Sequence, residues 1–129
     1  MRKSRLIVAT LTALALNPAW AVAEMPVKTA ESALGPVLTD AAGMTLYVFD
    51  KDSDGKSACY DKCAANWPPL LAGADAKTED DFGLIQRTDG KMQWTYYGKP
   101  LYLWVKDTKP GDVTGDGVND VWHVAKPQD

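Results

Sequence analysis

Asp50-Lys51-Asp52-Ser53-Asp54-Gly55 sets three carboxylates two residues apart ahead of a glycine, and Asp61 falls at the twelfth position counted from Asp50. Oxygen ligands at that spacing, with a glycine for the sharp turn, are what a hard cation needs. Asp50, Asp52, Asp54 and Asp61 are therefore candidate calcium ligands. No glutamate closes the loop and a strand rather than a helix leads into it, so it is not an EF-hand; a plain solvated acidic turn is the competing reading. Asp112-Val113-Thr114-Gly115-Asp116-Gly117 is a looser second copy, with Asp120 at its ninth position and His123 at its twelfth.

The two cysteines, Cys59 and Cys63, have no others to pair with. A pair four apart can close into a disulfide if the turn brings the α-carbons within about 7 Å, and so short a loop contributes only roughly 2 kcal/mol. The spacing is neither the C-x-x-C of thioredoxin-like redox sites nor C-x-x-C-H, which weakens a redox-accessory reading. Asp52 and Asp107 are each followed by a hydroxyl residue, but Asp54 and Lys109 come next where an aspartic-protease loop has glycine. They read instead as carboxylates accepting backbone N–H groups in turns. His123, the only histidine, has no partner at a telling spacing, and no G-x-S-x-G, P-loop or H-E-x-x-H is present. The sequence offers no catalytic residues.

These groups are positioned by a repeat. Gly43, Leu46, Tyr47, Lys51 and Asp52 recur 55 positions later as Gly98, Leu101, Tyr102, Lys106 and Asp107, with Phe49 answered by Trp104; the same offset takes Asp61 to Asp116 and Trp67 to Trp122. One ungapped offset over 25 residues indicates an internal duplication.

The N-terminus has the three parts of a secretory signal peptide: Arg2, Lys3 and Arg5, an apolar run from Leu6 to Leu16, and Ala21-Val22-Ala23. Cleavage after Ala23 leaves residues 24–129 as a single secreted domain, with no membrane span after cleavage and no cysteine near the cut to carry a lipid. The mature chain has 106 residues, and its 17 acids face 11 bases for a net charge of −6. That disfavours nucleic acid and anionic lipid as partners.

Val37 to Thr39 and Met44 to Phe49 read as strands joined by Asp40-Ala41-Ala42-Gly43. Ser57 is placed to cap a short helix carrying both cysteines, ended by Trp67-Pro68-Pro69. Ala72 to Asp81 is the joint. Phe82 to Arg87, Met92 to Tyr96 and Leu101 to Val105 form a meander through the Asp89-Gly90 turn, Lys109 to Asp120 is loop, and Val121 to Val124 is a last strand. The fold class is mainly β: a small antiparallel sheet domain of two pseudo-equivalent tandem repeats, about 35–71 and 82–127, with one short helix. Alternation puts Leu46 and Leu101 on one face and Tyr47, Phe49, Tyr102 and Trp104 on the other, with Trp94 and Tyr96 expected to add to the aromatic side. That face is either packed under the helix and loops or open as a platform for a flat ligand or a partner protein.

Tyr47-Val48-Phe49-Asp50-Lys51-Asp52 and Tyr102-Leu103-Trp104-Val105-Lys106-Asp107 match Y-x-[FWY]-x-x-D. With Cys63-Ala64-Ala65-Asn66-Trp67-Pro68-Pro69-Leu70, Gly98-Lys99-Pro100-Leu101-Tyr102, Lys109-Pro110-Gly111-Asp112 and Val121-Trp122-His123-Val124, the chain resembles the bacterial secreted-repeat family of predicted lipoproteins bearing that motif. The resemblance covers roughly Gly35 to Pro127. It implies an envelope or extracellular location and a tandem-repeat domain, and it implies no activity. The missing lipobox cysteine points to a soluble periplasmic form without a lipid anchor. The expectation is a monomeric, non-enzymatic binding or interaction module for an unknown protein or small ligand of the envelope, with no cofactor unless calcium occupies the acidic loop.

Overall fold

The structure, a computed structural model, describes residues 25–53, 55–79 and 81–128. The signal-peptide expectation for residues 1–23 lies outside them. Within them the order is β1 (Lys28–Ser32), β2 (Gly35–Thr39), β3 (Tyr47–Phe49), α1 (Lys62–Asn66), β4 (Leu71–Ala72), β5 (Phe82–Gln86), β6 (Met92–Tyr96), β7 (Lys99–Pro100), a 3-10 turn (Val118–Asp120) and β8 (Trp122–Val124). All strand pairings are antiparallel: β1 with β2, β3 with β8, and β6 with β4, β5 and β7.

Leu101 to Val105 is not the continuous strand expected of it: β7 is Lys99–Pro100, and beyond it Tyr102 makes only isolated bridges, to Tyr47 and Pro69. Ahead of β2, Lys28–Ser32 is an exposed edge strand, turned back onto β2 by the Ser32 hydroxyl, which donates to the Gly35 carbonyl and accepts from the Leu34 N–H. Its side chains show no apolar alternation because its outward faces meet water. Nor does Ser57 cap a helix carrying both cysteines. The helix begins at Lys62, after Asp61 in a left-handed conformation (φ 54°), and Ser57 Oγ instead accepts the Cys59 N–H. Cys59 and Cys63 are joined in a disulfide, with Cα atoms 5.2 Å apart.

The repeats are intertwined. Leu46 N–H donates to Leu38, Leu38 to Ala125 and Ala125 to Leu46, closing a ring of three backbone hydrogen bonds of 2.8–2.9 Å. The matching ring in the other half runs Leu101 to Trp94, Trp94 to Leu70 and Leu70 to Leu101, at 2.9–3.0 Å. Leu70 and Ala125 are equivalent under the 55-residue offset, so each half of the molecule takes its closing segment from the other repeat. The exchange is centred on Tyr47 and Tyr102, which trade both backbone hydrogen bonds (2.8 and 3.0 Å). A pseudo-two-fold axis passes between them.

Because side chains alternate across a strand, this central pair divides the interior in two. On one side, Leu46 and Leu101 pack with Leu38, Leu70, Trp94, Tyr96 and Ala125; on the other, Tyr47 and Tyr102 pack with Val37, Cys59, Trp67, Trp122 and Val124. Trp94 and Tyr96 therefore join the leucine core rather than the tyrosine face. The reason is register: the Thr95–Pro100 pairing sets Trp94 opposite Leu101, and opposed residues share a face.

Gly115 marks the tightest place in the tyrosine core. A Cβ there meets Trp67 Cη2 at 2.8 Å and Tyr47 Cε2 and Cζ at 2.9 Å. Both rings are buried, Tyr47 at 0% and Trp67 at 4% exposure. Gly115→Ala is expected to destabilise the fold by about 3 kcal/mol through overpacking, read as a lowered urea midpoint with an unchanged slope.

Candidate functional site: a cross-repeat lock and an aromatic groove

The motif residues meet across the repeats. Tyr47 Oη donates to Asp107 Oδ2 at 2.6 Å, and Tyr102 Oη donates to Asp52 Oδ2 at 2.7 Å. Each tyrosine thus bonds the carboxylate of the other repeat. Each phenol oxygen also accepts a hydrogen: Gly115 N–H at 3.1 Å for Tyr47, and for Tyr102 the Ser57 hydroxyl at 2.6 Å, since the phenol's own proton is committed to Asp52. The second oxygen of each carboxylate closes a loop. Asp52 Oδ1 accepts Ala58 N–H at 2.7 Å, and Asp107 Oδ1 accepts Thr114 N–H at 3.0 Å and the Thr114 hydroxyl at 2.6 Å. The sequence-level reading of these acids as turn caps thus covers half of what they do.

Behind the Asp52 half lies a group that sequence reasoning missed. The Arg87 guanidinium is buried, donating to Gln93 Oε1 (2.7 Å), Ser57 Oγ (3.1 Å) and the Cys59 carbonyl (2.6 Å), with its plane over the Tyr60 ring. Gln93 Nε2 continues the chain to the Leu101 carbonyl. Arg87 therefore ties the disulfide loop of one repeat to the meander of the other. Nothing in the spacing of Arg87 set it apart from surface arginines.

The tyrosines also fix an aromatic column. Tyr47 packs edge-on to Trp67 and Tyr102 edge-on to Trp122. Phe49, Trp122, Trp67 and Trp104 stack face to face, with successive centroids 4.1, 3.8 and 3.9 Å apart and interplanar angles of 10°, 2° and 23°. Trp67 and Trp122 meet at its centre and Phe49 and Trp104 at its ends, related by the same pseudo-symmetry. Lys106 Nζ lies 5.9 Å from the Trp104 ring centroid.

Along one side of the column the surface opens into a groove of about 380 Å³. Its floor is Phe49, Trp122 and Trp67 with Cys63 and Val121; Lys51, Lys62, Asn66 and Asn119 stand around it. Neither lysine is in an ion pair among the described residues. The column is thus largely core, with Trp67 and Trp122 only 4% and 3% exposed, and its accessible part is a rim with a cationic border.

The profile of a family described as a secreted repeat of unknown function matches residues 28–71 and 83–126. The chain belongs to this secreted-repeat family. No curated protein and no solved structure matches it. The two matched segments of the secreted repeat are the ones that exchange their closing strands, and no helix among the described residues is long and apolar enough to cross a membrane.

Two of the acids expected from sequence as calcium ligands, Asp52 and Asp50, have partners elsewhere in this secreted repeat. Asp52 spends both oxygens in the lock, Asp50 Oδ2 lies 2.8 Å from His123 Nε2, Asp61 precedes α1, and Asp54 lies outside the described residues. In the looser second loop, Asp112 binds the Thr108 and Lys109 N–H groups and the Lys109 ammonium, and Asp116 accepts Val124 N–H. Among the described residues no three His, Cys, Asp or Glu side chains cluster as a metal site.

Burial holds both lock tyrosines protonated. Desolvation, followed by the hydrogen bond to Asp107, pushes the Tyr47 phenol far above its ordinary value; desolvation does the same for Tyr102, reinforced by Asp52 against the Ser57 hydroxyl. Asp52 is itself pushed up by burial, against the pull of the Ala58 N–H, Tyr102 and Arg87. The sign for the tyrosines follows from proton counting. Above the ordinary phenol value of 10.0 the unfolded chain releases these protons while the folded chain keeps them, so stability is intact below that value and falls as pH rises above it. Two retained protons predict a steepening of about 2.7 kcal/mol per pH unit. Urea titrations at rising alkaline pH check this; Tyr47→Phe and Tyr102→Phe are each expected to remove about half of it.

Proposed function

We propose that this protein is a non-enzymatic binding module, soluble in the periplasm or outside the cell, that takes a small anionic ligand with a flat apolar body in the groove beside the aromatic column. The observation that carries the reading is the groove itself: ring edges of Phe49, Trp67 and Trp122 bordered by the ammonium groups of Lys51 and Lys62, neither in an ion pair among the described residues, on an otherwise acidic chain. Ring edges carry the positive part of the aromatic quadrupole, so floor and border favour the same sign of charge. The volume falls in the range of small-molecule sites. Two further points support it: the family is described as secreted, and the lock tyrosines Tyr47 and Tyr102 are committed to the Asp107 and Asp52 carboxylates.

Titration with an anionic anilinonaphthalene sulfonate and with a cationic dye of similar shape tests the reading. Saturable tryptophan quenching by the anionic probe is expected, weakened at least tenfold in a Lys51→Glu, Lys62→Glu variant, about 1.4 kcal/mol. Equal binding of both dyes, or binding indifferent to the two lysines, would falsify the proposal.

A further inference from the structure

The column and the lock meet in a way that packing alone does not call for. Aromatic pairs usually settle offset or edge-to-face with centroids 4.5–7 Å apart, whereas all three intervals here are 3.8–4.1 Å, close to van der Waals contact. Trp104, at one end, is only partly buried. Its neighbour Trp67 touches Tyr47 edge-on, and Tyr47 holds its proton against a carboxylate oxygen 2.6 Å away. Next in line, Trp122 touches Tyr102, held in the same way against Asp52. Stacked indoles pass electrons readily over such gaps, and a phenol gives up an electron far more easily when its proton can move at once to a base. Both requirements are met at both ends of the pseudo-symmetric pair.

We propose that the tryptophan column and the two tyrosine–aspartate pairs form a one-electron relay, through which a strong outer-sphere oxidant meeting the surface at Trp104 is reduced at the expense of a buried tyrosine. The indole of Trp104 loses one electron to the oxidant, which is reduced by one. Trp67 refills Trp104, and Tyr47 refills Trp67. As it does so, the phenolic proton of Tyr47 passes along the hydrogen bond to Asp107 Oδ2. The balance is a reduced oxidant, a neutral Tyr47 phenoxyl radical and a protonated Asp107 carboxyl, and no atom leaves the protein. Continuing through Trp122 gives the alternative terminus, Tyr102 with Asp52. Both tyrosines are fully buried, which keeps the radical from coupling with another at the surface. The relay does not depend on what the groove binds.

Flash photolysis with a photogenerated ruthenium(III) polypyridyl complex tests it, in protein carrying Tyr60→Phe and Tyr97→Phe to silence tyrosines outside the two cores. A broad tryptophan-radical absorption is expected to give way to the sharp tyrosyl band, more slowly in heavy water because a proton moves with the electron. Tyr47→Phe with Tyr102→Phe keeps both rings and should abolish the tyrosyl band while prolonging the tryptophan radical. Trp104→Leu should lower the radical yield severalfold. Near-ultraviolet circular dichroism confirms that each variant retains its packing, and the heavy-water comparison needs no core variant at all. A tyrosyl band that persists in the double variant, a yield unaffected by Trp104→Leu, or conversion at equal rates in light and heavy water would each overturn the relay.

Discussion

Cut between Ala74 and Asp75, a chain of residues 24–129 is expected to remain folded, whereas residues 24–74 and 75–129 made separately are expected to be unfolded and to recover the native circular dichroism on mixing. The first fragment carries Leu46 and Leu38 but not Ala125, which closes their hydrogen-bond ring; the second carries Leu101 and Trp94 but not Leu70. Each alone leaves an open ladder, half of each core and a tyrosine whose carboxylate is on the other piece. Chains of about 50 residues are already marginal for want of buried surface, so neither can bear that loss. The cut itself falls where Gly73, Ala74 and Asp75 are exposed. A fragment that folds cooperatively by itself would contradict the exchange.

Asp107→Ala is the point substitution expected to cost most, at about 4 kcal/mol. It strands three hydrogen-bond donors at once: the buried Tyr47 phenol, the Thr114 N–H and the Thr114 hydroxyl. Asp107 is 7% exposed, so water cannot easily take its place. Asp52→Ala strands only the Ala58 N–H and the Tyr102 phenol, and it also removes a carboxylate that burial had already pushed up. Its expected cost is about 2 kcal/mol. Chemical denaturation of the two variants side by side checks the order, and equal losses would show that the pseudo-equivalent acids carry equal weight.

Particular residues show how far the sequence carried. Alternation along Leu46-Tyr47 and Leu101-Tyr102 correctly separated two faces, because the 2-residue period of a strand is written in side-chain type. The repeat offset identified Tyr47 with Tyr102 and Asp52 with Asp107, but an offset states equivalence and not contact. Nothing local in Tyr47-x-x-x-x-Asp52 tells that each tyrosine bonds the other copy's aspartate. Ser57 and Arg87 were opaque for a related reason: their partners lie 45 and 30 residues away. The β1 strand was hidden because its side chains face water. The groove was legible only as aromatic content, since its border depends on Lys51 and Lys62, 11 positions apart in sequence, being brought to one rim by the disulfide turn.

The repeated motif works as a lock between repeats, and this lock holds the column and groove in place. A double-mutant cycle measures it most directly, pairing Tyr47→Phe with Asp107→Asn and, as the reference, Tyr47→Phe with Asp52→Asn. The expected coupling free energy is about 1–2 kcal/mol for Tyr47 with Asp107 and within about 0.5 kcal/mol of zero for Tyr47 with Asp52. Coupling confined to Tyr47 and Asp52, the pair within one motif copy, would contradict it.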